Sequence, residues 1–413
     1  MARIAMVGMG NRGSVYGRHA RTLGGEVVAV AEPRSRLRDR LSDLWGVPEA
    51  GRFADWQQLV EAEPAVDLVF IATQDQLHRD PAVAFLEAGY DVVLEKPMAP
   101  TEEDSRAILD AASRSGRHLV VAHVLRYQPY SRMVMRLISE GAIGSVTHLD
   151  HFEPIGDQHF AHSYVRGNWR REEEASSALM SKSCHDLDWI CAVVGSQATS
   201  VASFGSLSHF KEANAPEGAG HRCLDCAVEA DCAFSARRFY MAALESESGW
   251  DWPLSVVAEE PTQAAVTEAL LTSPYGRCVY RCDNDVVDHQ VVALQFVGGQ
   301  TASFTMSAFS KPGHRRTRIG GTRGYLVGDG EQITVFDYLT QTETVTHVAE
   351  GSGPDAGSGH GGGDFGLVET VLDAVDRGNW EMVPTDAAES FATHQLVWAA
   401  ERSRKTGTVV NLS

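Results

Sequence analysis

The first 122 residues alternate apolar segments with segments of helical periodicity, and this order limits the possible folds more than any other feature. The pattern predicts strands at residues 3–7, 26–32, 66–72, 90–94 and 118–122, and helices at residues 34–45, 55–62, 81–87 and 101–112. Strands and helices that alternate in this way form a parallel sheet with helices on both faces. We therefore expect an α/β fold that begins with a doubly wound, Rossmann-type parallel sheet.

A glycine-rich turn follows the first strand. It has the spacing G-x-G-x-x-G and consists of Gly8, Met9, Gly10, Asn11, Arg12 and Gly13. Between a strand and a helix, this spacing lets the backbone approach a pyrophosphate at the helix N-terminus. Glu32 ends the second strand, where an acid binds the adenosine ribose hydroxyls and disfavours a 2′-phosphate. The pattern predicts NAD as the cofactor, although Arg34 weakens the preference over NADP.

A lysine lies at the end of the strand at residues 90–94, in the sequence Glu95-Lys96-Pro97. Open α/β sheets bind their ligands just beyond the carboxyl ends of the strands. A lysine in that position can donate a proton to a ligand or accept one from it. Lys96 is therefore a candidate catalytic residue.

The pattern changes after residue 123. An amphipathic helix is predicted at residues 131–140, strands of period two follow from residue 145, and residues 292–296 and 302–306 form a hairpin. We expect a NAD-binding domain at residues 1–123 and an α+β domain with a large open, mostly antiparallel sheet at residues 124–413. A cysteine-rich insertion lies near residues 210–285, and the glycine-rich residues 351–363 are expected to form a mobile loop over a site.

Five short motifs resemble the glucose–fructose oxidoreductase / inositol dehydrogenase / rhizopine-catabolism (Gfo/Idh/MocA) family. They are the glycine turn, the segment from Ala72 to His78, Glu95-Lys96-Pro97, Arg126-Tyr127 and His185-Asp186-Leu187-Asp188. The resemblance implies that Lys96 binds a substrate hydroxyl and assists its deprotonation, with His185 as the partner acid or base. It also places a further set near the cofactor or substrate: Thr73, Gln74, His78, Glu95, Arg126, Trp169 and Arg170.

The chain departs from the usual family pattern at two places. Thr73-Gln74 stands where many members have Thr-Pro, and Ser181 stands where many have an aspartate four residues before the histidine. Lys182 lies beside Ser181 and is a candidate for part of the missing role. The usual Lys-Asp-His set is therefore incomplete.

A basic stretch, Arg166-Gly167-Asn168-Trp169-Arg170-Arg171, lies within an acidic protein. Paired guanidinium groups suit a carboxylate, phosphate or sulfonate, so Arg166, Arg170 and Lys182 predict an anionic sugar. The alternative is that these arginines pair with the glutamates at positions 172–174 on the surface. His360 is a further candidate for polyol hydroxyls.

Cys223, Cys226 and Cys232 have the spacing C-x-x-C-x5-C. Thiolates at this spacing can converge on one metal ion, with Cys278 as the first choice for a fourth ligand and Cys282 or His221 as alternatives. We expect a structural zinc that holds an irregular insertion without a core of its own. Reduced thiols without a metal, or an iron–sulfur cluster, are the alternatives.

The composition excludes several classes of partner. The net charge of -19 over 413 residues argues against nucleic acid and anionic membranes. No apolar run approaches the roughly 20 residues that span a bilayer, and the chain enters a strand at once, so we expect no signal peptide and a cytoplasmic protein. The outer face of the large sheet needs cover, which predicts a homo-oligomer, a dimer or tetramer.

The leading hypothesis is an NAD-dependent oxidoreductase that acts on a hydroxyl of a sugar, cyclitol or glycoside. A second hypothesis is an NAD-dependent glycoside hydrolase, which oxidises a ring hydroxyl transiently and acts on an anionic glycoside such as a sulfosugar glycoside or a glucuronide. A third is a regulatory protein that keeps NAD without turnover.

Overall fold

The computed structural model describes residues 1–246, 252–348 and 360–412. Residues 351–359 of the glycine-rich segment predicted as a mobile loop lie outside the described residues.

A parallel sheet forms the N-terminal part, as the sequence predicts. Its six strands in the described chain have the order β3-β2-β1-β4-β5-β6. They are β1 (Arg3–Val7), β2 (Glu26–Ala31), β3 (Arg52–Phe53), β4 (Leu68–Ile71), β5 (Asp91–Leu94) and β6 (Leu119–Val121). The helices are α1 (Asn11–Thr22), α2 (Ser35–Trp45), α3 (Trp56–Glu61), α4 (Arg79–Glu87) and α5 (Glu102–Ser115).

The parallel sheet is buried on both faces, which explains its continuous apolar strands. In β1, Ile4 and Met6 belong to one apolar cluster, and Ala5 and Val7 belong to the cluster on the opposite face. Successive side chains of a strand point to opposite faces. A strand between two helical layers therefore needs an apolar residue at every position.

A mixed, mostly antiparallel sheet forms the C-terminal part, and the predicted fold class is confirmed. Nine strands of the described chain have the order β14-β13-β12-β11-β7-β10-β9-β8-β15, and only β10 and β7 pair in parallel. They are β7 (Val146–Pro154), β8 (Ala198–Ser206), β9 (His289–Phe296), β10 (Thr301–Ser307), β11 (Arg316–Gly321), β12 (Gly324–Gly328), β13 (Gln332–Asp337), β14 (Thr342–His347) and β15 (Val410–Asn411).

The remaining helices of the described chain pack on this sheet, form the insertion between β8 and β9, or pack on the first sheet. They are α6 (Pro129–Ser139), α7 (Asp157–Phe160), α8 (Ala178–Val194), α9 (Ala236–Glu245), α10 (Leu254–Val257), α11 (Gln263–Thr272), α12 (Gly363–Arg377) and α13 (Ala387–Thr406). A π-helical segment, Ala161–Arg166, follows α7. Leu367 and Val371 of α12 pack in the same cluster as Ile4, and Phe391 of α13 packs with Val7. α12 therefore packs on the first sheet, whereas α13 contacts both β6 and β8 and so joins the two sheets. The domain boundary at residue 123 stays a prediction.

The insertion between β8 and β9 has a small apolar core, so the expectation of an irregular insertion without a core was wrong. Its buried cluster includes Ala236 and Tyr240 of α9, Leu254 of α10, and Val266 and Leu270 of α11. Three short helices therefore share one apolar core within the insertion. Among the described helices, none is long and apolar enough to cross a bilayer.

Candidate active site

The glycine turn lies where the chain order of the parallel sheet changes direction, between β1 and β4. Gly8 has a φ of 82°, and a Cβ there would lie 2.7 Å from the carbonyl oxygen of Ala72. A Cβ at Gly13 would lie 2.0 Å from the carbonyl oxygen of Gly8. Gly10 and the exposed Asn11 lead into α1, whose first amides point toward the turn. This backbone fits the pyrophosphate of a dinucleotide.

Glu32 lies at the end of β2 and is buried. Its carboxylate accepts hydrogen bonds from the Met9 amide, at 2.8 Å, and from Arg34 Nε, at 2.6 Å. Burial opposes ionisation, but the bonds from Arg34 and Met9 lower the pKa of Glu32 below its usual value. The amide and Nη2 of Arg34 donate two further bonds, each at 3.1 Å, so the carboxylate already has the four or so donors that it can accept. A ribose hydroxyl would therefore replace a bond from the half-exposed Arg34 side chain.

Arg12 is held by protein carboxylates rather than left free for a phosphate. Its Nε lies 2.6 Å from Glu95 Oε1, and its two terminal nitrogens lie 2.9 and 2.5 Å from the oxygens of Asp364. Tyr16 Oη also receives a hydrogen bond from Arg12 and donates one to Glu95. The predicted cofactor residue Arg12 therefore ties α12 to the glycine turn, and Glu95 anchors Lys96 through the Lys96 amide at 2.8 Å.

Lys96 reaches from the end of β5 to the first turns of α8. Its Nζ donates to the carbonyl oxygen of Ser181 and lies 3.4 Å from that of Lys182. The Ser177 hydroxyl accepts from the Met180 amide at 3.2 Å and caps α8. An ammonium group has three N–H donors, so one remains for a ligand. The contact joins the parallel sheet to the helix that carries His185.

His185 is buried and lies in contact with Arg315. Arg315 Nη2 lies 2.8 Å from His185 Nε2, and because a guanidinium can only donate, Nε2 is the acceptor. Burial, despite the nearby Asp186, lowers the pKa of His185 well below its usual value, so the ring is neutral and its proton is on Nδ1. Nδ1 is buried and has no hydrogen-bond partner within the described residues. The arrangement leaves His185 with an N–H donor for a ligand.

Lys182 belongs to an ion-pair network with balanced charge. Its Nζ lies 3.2 Å from Glu153, whose other oxygen lies 3.1 Å from Arg315 Nε. Arg315 also pairs with Asp186, which lies 3.2 Å from His151 Nε2. Burial lowers the pKa of Lys182. The network holds Lys182 and His185 on one side of the site.

A carboxylate that the sequence analysis did not single out lies near Lys96. Asp75 is buried and accepts a hydrogen bond from the Trp169 indole at 3.1 Å. Burial raises the pKa of Asp75, and His78 and Lys96 oppose that effect. The Ser181 hydroxyl donates to its own helix, to the Ser177 carbonyl oxygen at 3.0 Å. Asp75 is therefore an acidic side chain near Lys96, whereas position 181 has none, and its position after β4, next to β5, was the available signal.

The other residues of the Thr73–His78 motif shape the end of β4. The buried His78 lies 2.8 Å from the Pro97 carbonyl oxygen through Nδ1 and 3.2 Å from the Thr73 carbonyl oxygen through Nε2. Thr73 Oγ1 donates to the Leu77 carbonyl oxygen at 3.1 Å, and Gln74 is exposed. His78 thus fixes the loop after Lys96 to the adjacent strand end.

His360 lies beside His185 and precedes α12. The two ring centroids are 6.0 Å apart, and His360 Nδ1 lies 3.2 Å from Asp364. Burial lowers the pKa of His360, while Asp364 opposes the effect. The structure therefore brings the predicted substrate residues Lys96, His185 and His360 to one site.

Arg166 and Arg170 are predicted to contact substrate, but in the structure they bind other groups of the protein. The buried Arg166 donates to the carbonyl oxygens of Arg277 and Phe234, each at 2.8 Å. Arg170 pairs with Asp283 at 3.0 Å and with Glu174 at 2.9 Å. The alternative expectation, that arginines of this stretch pair with the glutamates that follow it, describes the Arg170 contact. Because both arginines have partners within the protein, the prediction that they bind an anionic substrate has no support.

Arg126 also has acidic partners within the protein. Its Nη1 lies 3.4 Å from the buried Asp188 and 3.0 Å from Glu389. Burial raises the pKa of Asp188 to about 6, against the effect of Arg126. Arg126 thus joins α8 to α13 beneath the helix face that carries His185.

The cysteines give no support to the predicted zinc. Within the described ranges, no group of three or more histidine, cysteine or acidic side chains is placed to hold a metal ion. Cys223 Sγ accepts from the Ala236 amide at 3.4 Å, and Cys226 Sγ accepts from the Gly220 amide at 3.3 Å. Burial raises the pKa values of Cys232 and Cys278, which favours thiols over thiolates.

Comparison with known proteins identifies the family. Residues 2–123 match the oxidoreductase family with an NAD-binding Rossmann fold (GFO_IDH_MocA), and residues 135–412 match the C-terminal alpha/beta domain of the same family. The chain belongs to the Gfo/Idh/MocA oxidoreductase family. The resemblance inferred from the five motifs is confirmed, and NAD is the cofactor of this family's Rossmann domain.

Relatives of this family member match it over different lengths. YteT of Bacillus subtilis (strain 168), assigned as an oxidoreductase, is 27% identical over 391 residues, which are 89% of this chain and 86% of YteT. Glycosyl hydrolase family 109 protein 2 of Phocaeicola vulgatus is 29% identical over 157 residues, 36% of this chain and 38% of that protein. The structure of levoglucosan dehydrogenase with NADH and levoglucosan covers 99% of both chains, with 18% identity and a TM-score of 0.71.

Proposed function

We propose that this protein is an NAD-dependent oxidoreductase that acts on a hydroxyl group of a carbohydrate. The observation that carries the proposal is the placement of Lys96 Nζ. It lies at the end of a parallel strand beside the glycine turn and contacts the first turns of α8, which bring His185 to the same site. Ligands of such sheets bind at this edge.

The charges and donors of the site suit a hydroxyl-bearing ligand. Lys96 has one N–H left after its contacts with α8, and His185 has an unpartnered Nδ1–H. Asp75 lies close enough to Lys96 for the lysine to lower the pKa of Asp75, against the larger effect of burial, which raises it. We propose that the His185 Nδ1–H binds one ligand oxygen, and that Lys96 acts in its neutral amine form, with a lone pair in place of its third N–H. That lone pair takes the proton of the hydroxyl that is oxidised.

The glycine turn and Glu32 would hold NAD, by its pyrophosphate and its adenosine ribose. When bound, NAD supplies the redox chemistry by accepting a hydride from the carbon that bears the hydroxyl. The protein holds the substrate oxygen, removes its proton at Lys96 Nζ and excludes water through the two packed domains.

The proposed substrate is a neutral carbohydrate rather than an anionic one. Lys182 is paired with Glu153, and Arg315 with Glu153 and Asp186, so the cations on this side of the site already have acidic partners. A sugar hydroxyl needs hydrogen-bond donors, not an excess of positive charge. The dehydrogenase of levoglucosan, which shares this fold, supports a neutral sugar as the substrate class.

A second candidate function is an NAD-dependent glycoside hydrolase, favoured by the match to the family 109 glycosyl hydrolase. The two reactions differ in their products. A dehydrogenase releases one NADH for each sugar oxidised, whereas the hydrolase releases an aglycone and restores its NAD.

The decisive experiment incubates the purified protein with NAD and a panel of free sugars, methyl glycosides and 4-nitrophenyl glycosides, following NADH and 4-nitrophenol together. NADH equal to the sugar consumed supports the oxidoreductase, and 4-nitrophenol without net NADH supports the hydrolase. Lys96→Met should lower kcat/KM by about 10²–10⁴-fold, while the control Lys211→Met, at an exposed lysine, should retain activity. Neither product from any sugar would contradict both functions.

We also propose that a second copy of the chain covers the outer face of the large sheet. Phe204 of β8 and Val291 of β9 are neighbours in the strand register and are 67% and 41% exposed. Val327 of β12 is 40% exposed. Exposed apolar residues on one sheet face are typical of protein–protein contacts.

A further inference from the structure

Trp252, in the helical insertion, lies against two histidines of the segment that follows β7. Its indole ring centroid lies 5.0 Å from that of His159, 5.1 Å from His162 and 6.1 Å from Phe239. The interplanar angles are 61°, 78° and 66°, so the three rings meet the indole steeply. Trp252 nevertheless remains 37% exposed. The indole is therefore fixed by its neighbours and still offers surface to a ligand.

His159 connects Trp252 to the catalytic groups. It belongs to α7, which begins shortly after the end of β7, the strand that carries Glu153, the partner of Lys182. Burial lowers the pKa of His159 well below its usual value, and Lys182, His360 and Lys96 contribute to the same effect. His159 is thus within electrostatic range of three groups of the site while its ring touches Trp252.

The insertion is held firmly in this position. His162 Nδ1 lies 2.7 Å from Tyr240 Oη, and its ring stacks on Tyr275 with centroids 4.9 Å apart. Arg166, from the same π-helical segment, donates to two carbonyl oxygens on the insertion side, those of Arg277 and Phe234. Because these contacts are buried and use hydrogen-bonded rings and a guanidinium, the insertion that carries Trp252 has a fixed place relative to the π-helical segment.

We propose that Trp252 and His159 form a second carbohydrate subsite, which takes the ring next to the sugar that is oxidised. The proposal rests on the proposed action on a carbohydrate, and it narrows the substrate class to glycosides of at least two rings. A tryptophan offers a large, rigid apolar surface with a polar edge, which suits the C–H face of a sugar ring. The imidazole of His159 offers a hydrogen bond to a hydroxyl of the same ring.

The test compares kcat/KM for disaccharides of glucose and galactose with kcat/KM for the methyl glycoside of each non-reducing sugar. Trp252→Ala should lower the disaccharide value roughly tenfold or more, because an aromatic side chain that a ligand covers contributes at least that to binding. The methyl glycoside value should stay within about twofold. Trp252→Phe, which keeps an aromatic face, should retain more of the disaccharide preference than Trp252→Leu. Trp380→Phe is the control, because Trp380 lies beside His118, in the parallel-sheet half of the protein.

Equal losses for both substrates would show that Trp252 only stabilises the fold and would overturn the subsite, as would no loss in any variant. Circular dichroism and NADH binding check that each variant folds. If the wild type oxidises methyl glycosides but shows no selective effect at Trp252, the subsite fails and the proposed function stands. If the wild type oxidises neither the disaccharides nor the methyl glycosides, calorimetric binding of the same disaccharides to the NADH-loaded protein tests the subsite separately. Weaker binding to Trp252→Leu than to the wild type supports the subsite, and equal binding refutes it.

Discussion

Replacing Asp364 by asparagine tests how strongly α12 is tied to the glycine turn. Asp364 is buried, and both of its oxygens contact the Arg12 guanidinium, at 2.5 and 2.9 Å. Removing one partner of a buried ion pair costs about 3–5 kcal/mol. Arg12 keeps Glu95 at 2.6 Å, so we expect a smaller loss than this, about 2–3 kcal/mol.

Equilibrium unfolding in urea measures this loss. Asp373→Asn is the matched control, because Asp373 lies on the same helix and its pair with Arg377, at 3.0 Å, is exposed. Exposed pairs of this kind contribute about 0.3–0.5 kcal/mol. A loss for Asp364→Asn no larger than that for Asp373→Asn would refute the structural role of the Arg12–Asp364 pair.

The pH dependence gives an independent check. Although burial opposes ionisation, Arg12 and His360 lower the pKa of Asp364 well below its usual value in the folded state. A carboxyl with a lowered folded pKa stabilises the fold above its unfolded pKa, about 3.9, and loses that stabilisation as pH falls through the folded pKa. The difference between wild type and Asp364→Asn should therefore be full at pH 7 and smaller below about pH 4. A difference that grows on acidification would contradict the reasoning.

Two further predictions concern cofactor choice and assembly. Glu32→Gln should lower the preference for NADH over NADPH at least tenfold, because it removes a negative charge near the 2′-position. Fluorescence titration measures both affinities, and Glu26→Gln, at the exposed start of β2, is the control. An unchanged ratio of the two affinities would exclude Glu32 as the discriminating residue. Phe204→Lys should convert an oligomer into monomers in analytical ultracentrifugation, because it places a charge on the exposed sheet face. A wild type that sediments as a monomer would contradict the proposal that a second copy of the chain covers this face.

Much of the first sheet could be predicted from the sequence because its information is local. Each buried parallel strand is an apolar run of a few residues, and each helix follows with its own periodicity and cap. Thr101, for example, accepts a hydrogen bond from the Asp104 amide at 3.1 Å at the start of α5. The glycine turn and Lys96 were found for the same reason, since strand ends on one edge of a parallel sheet must meet.

The charged network around His185 could not be predicted, because its members are distant in the chain. Arg315 and His185 are separated by 130 positions, and Glu153 comes from β7. Which polar residue of a period-two strand faces the site depends on the register of the whole sheet. Asp75 was accessible in principle, since it follows β4 next to the strand that carries Lys96.

The basic stretch was misread because its partners are also remote. Arg166 donates to the carbonyl oxygen of Arg277, 111 positions away, and Asp283 pairs with Arg170 from a similar distance. A run of arginines indicates charge but does not show whether a ligand or the protein supplies the acceptor. The zinc prediction from the cysteine spacing has no support for a similar reason. The three helices of the insertion share an apolar core, which the sequence did not show and which a metal was expected to replace.

The central claim is that Lys96 takes a proton from a carbohydrate hydroxyl while NAD is bound beside it. A single-turnover experiment tests it most directly, mixing NAD-loaded protein with a sugar that the wild type uses and following reduction of the bound NAD in wild type and Lys96→Met. The account predicts a rate at least about 10²-fold lower in the variant, with unchanged NAD affinity and recovery of rate when the pH is raised. An equal rate in both proteins would contradict it.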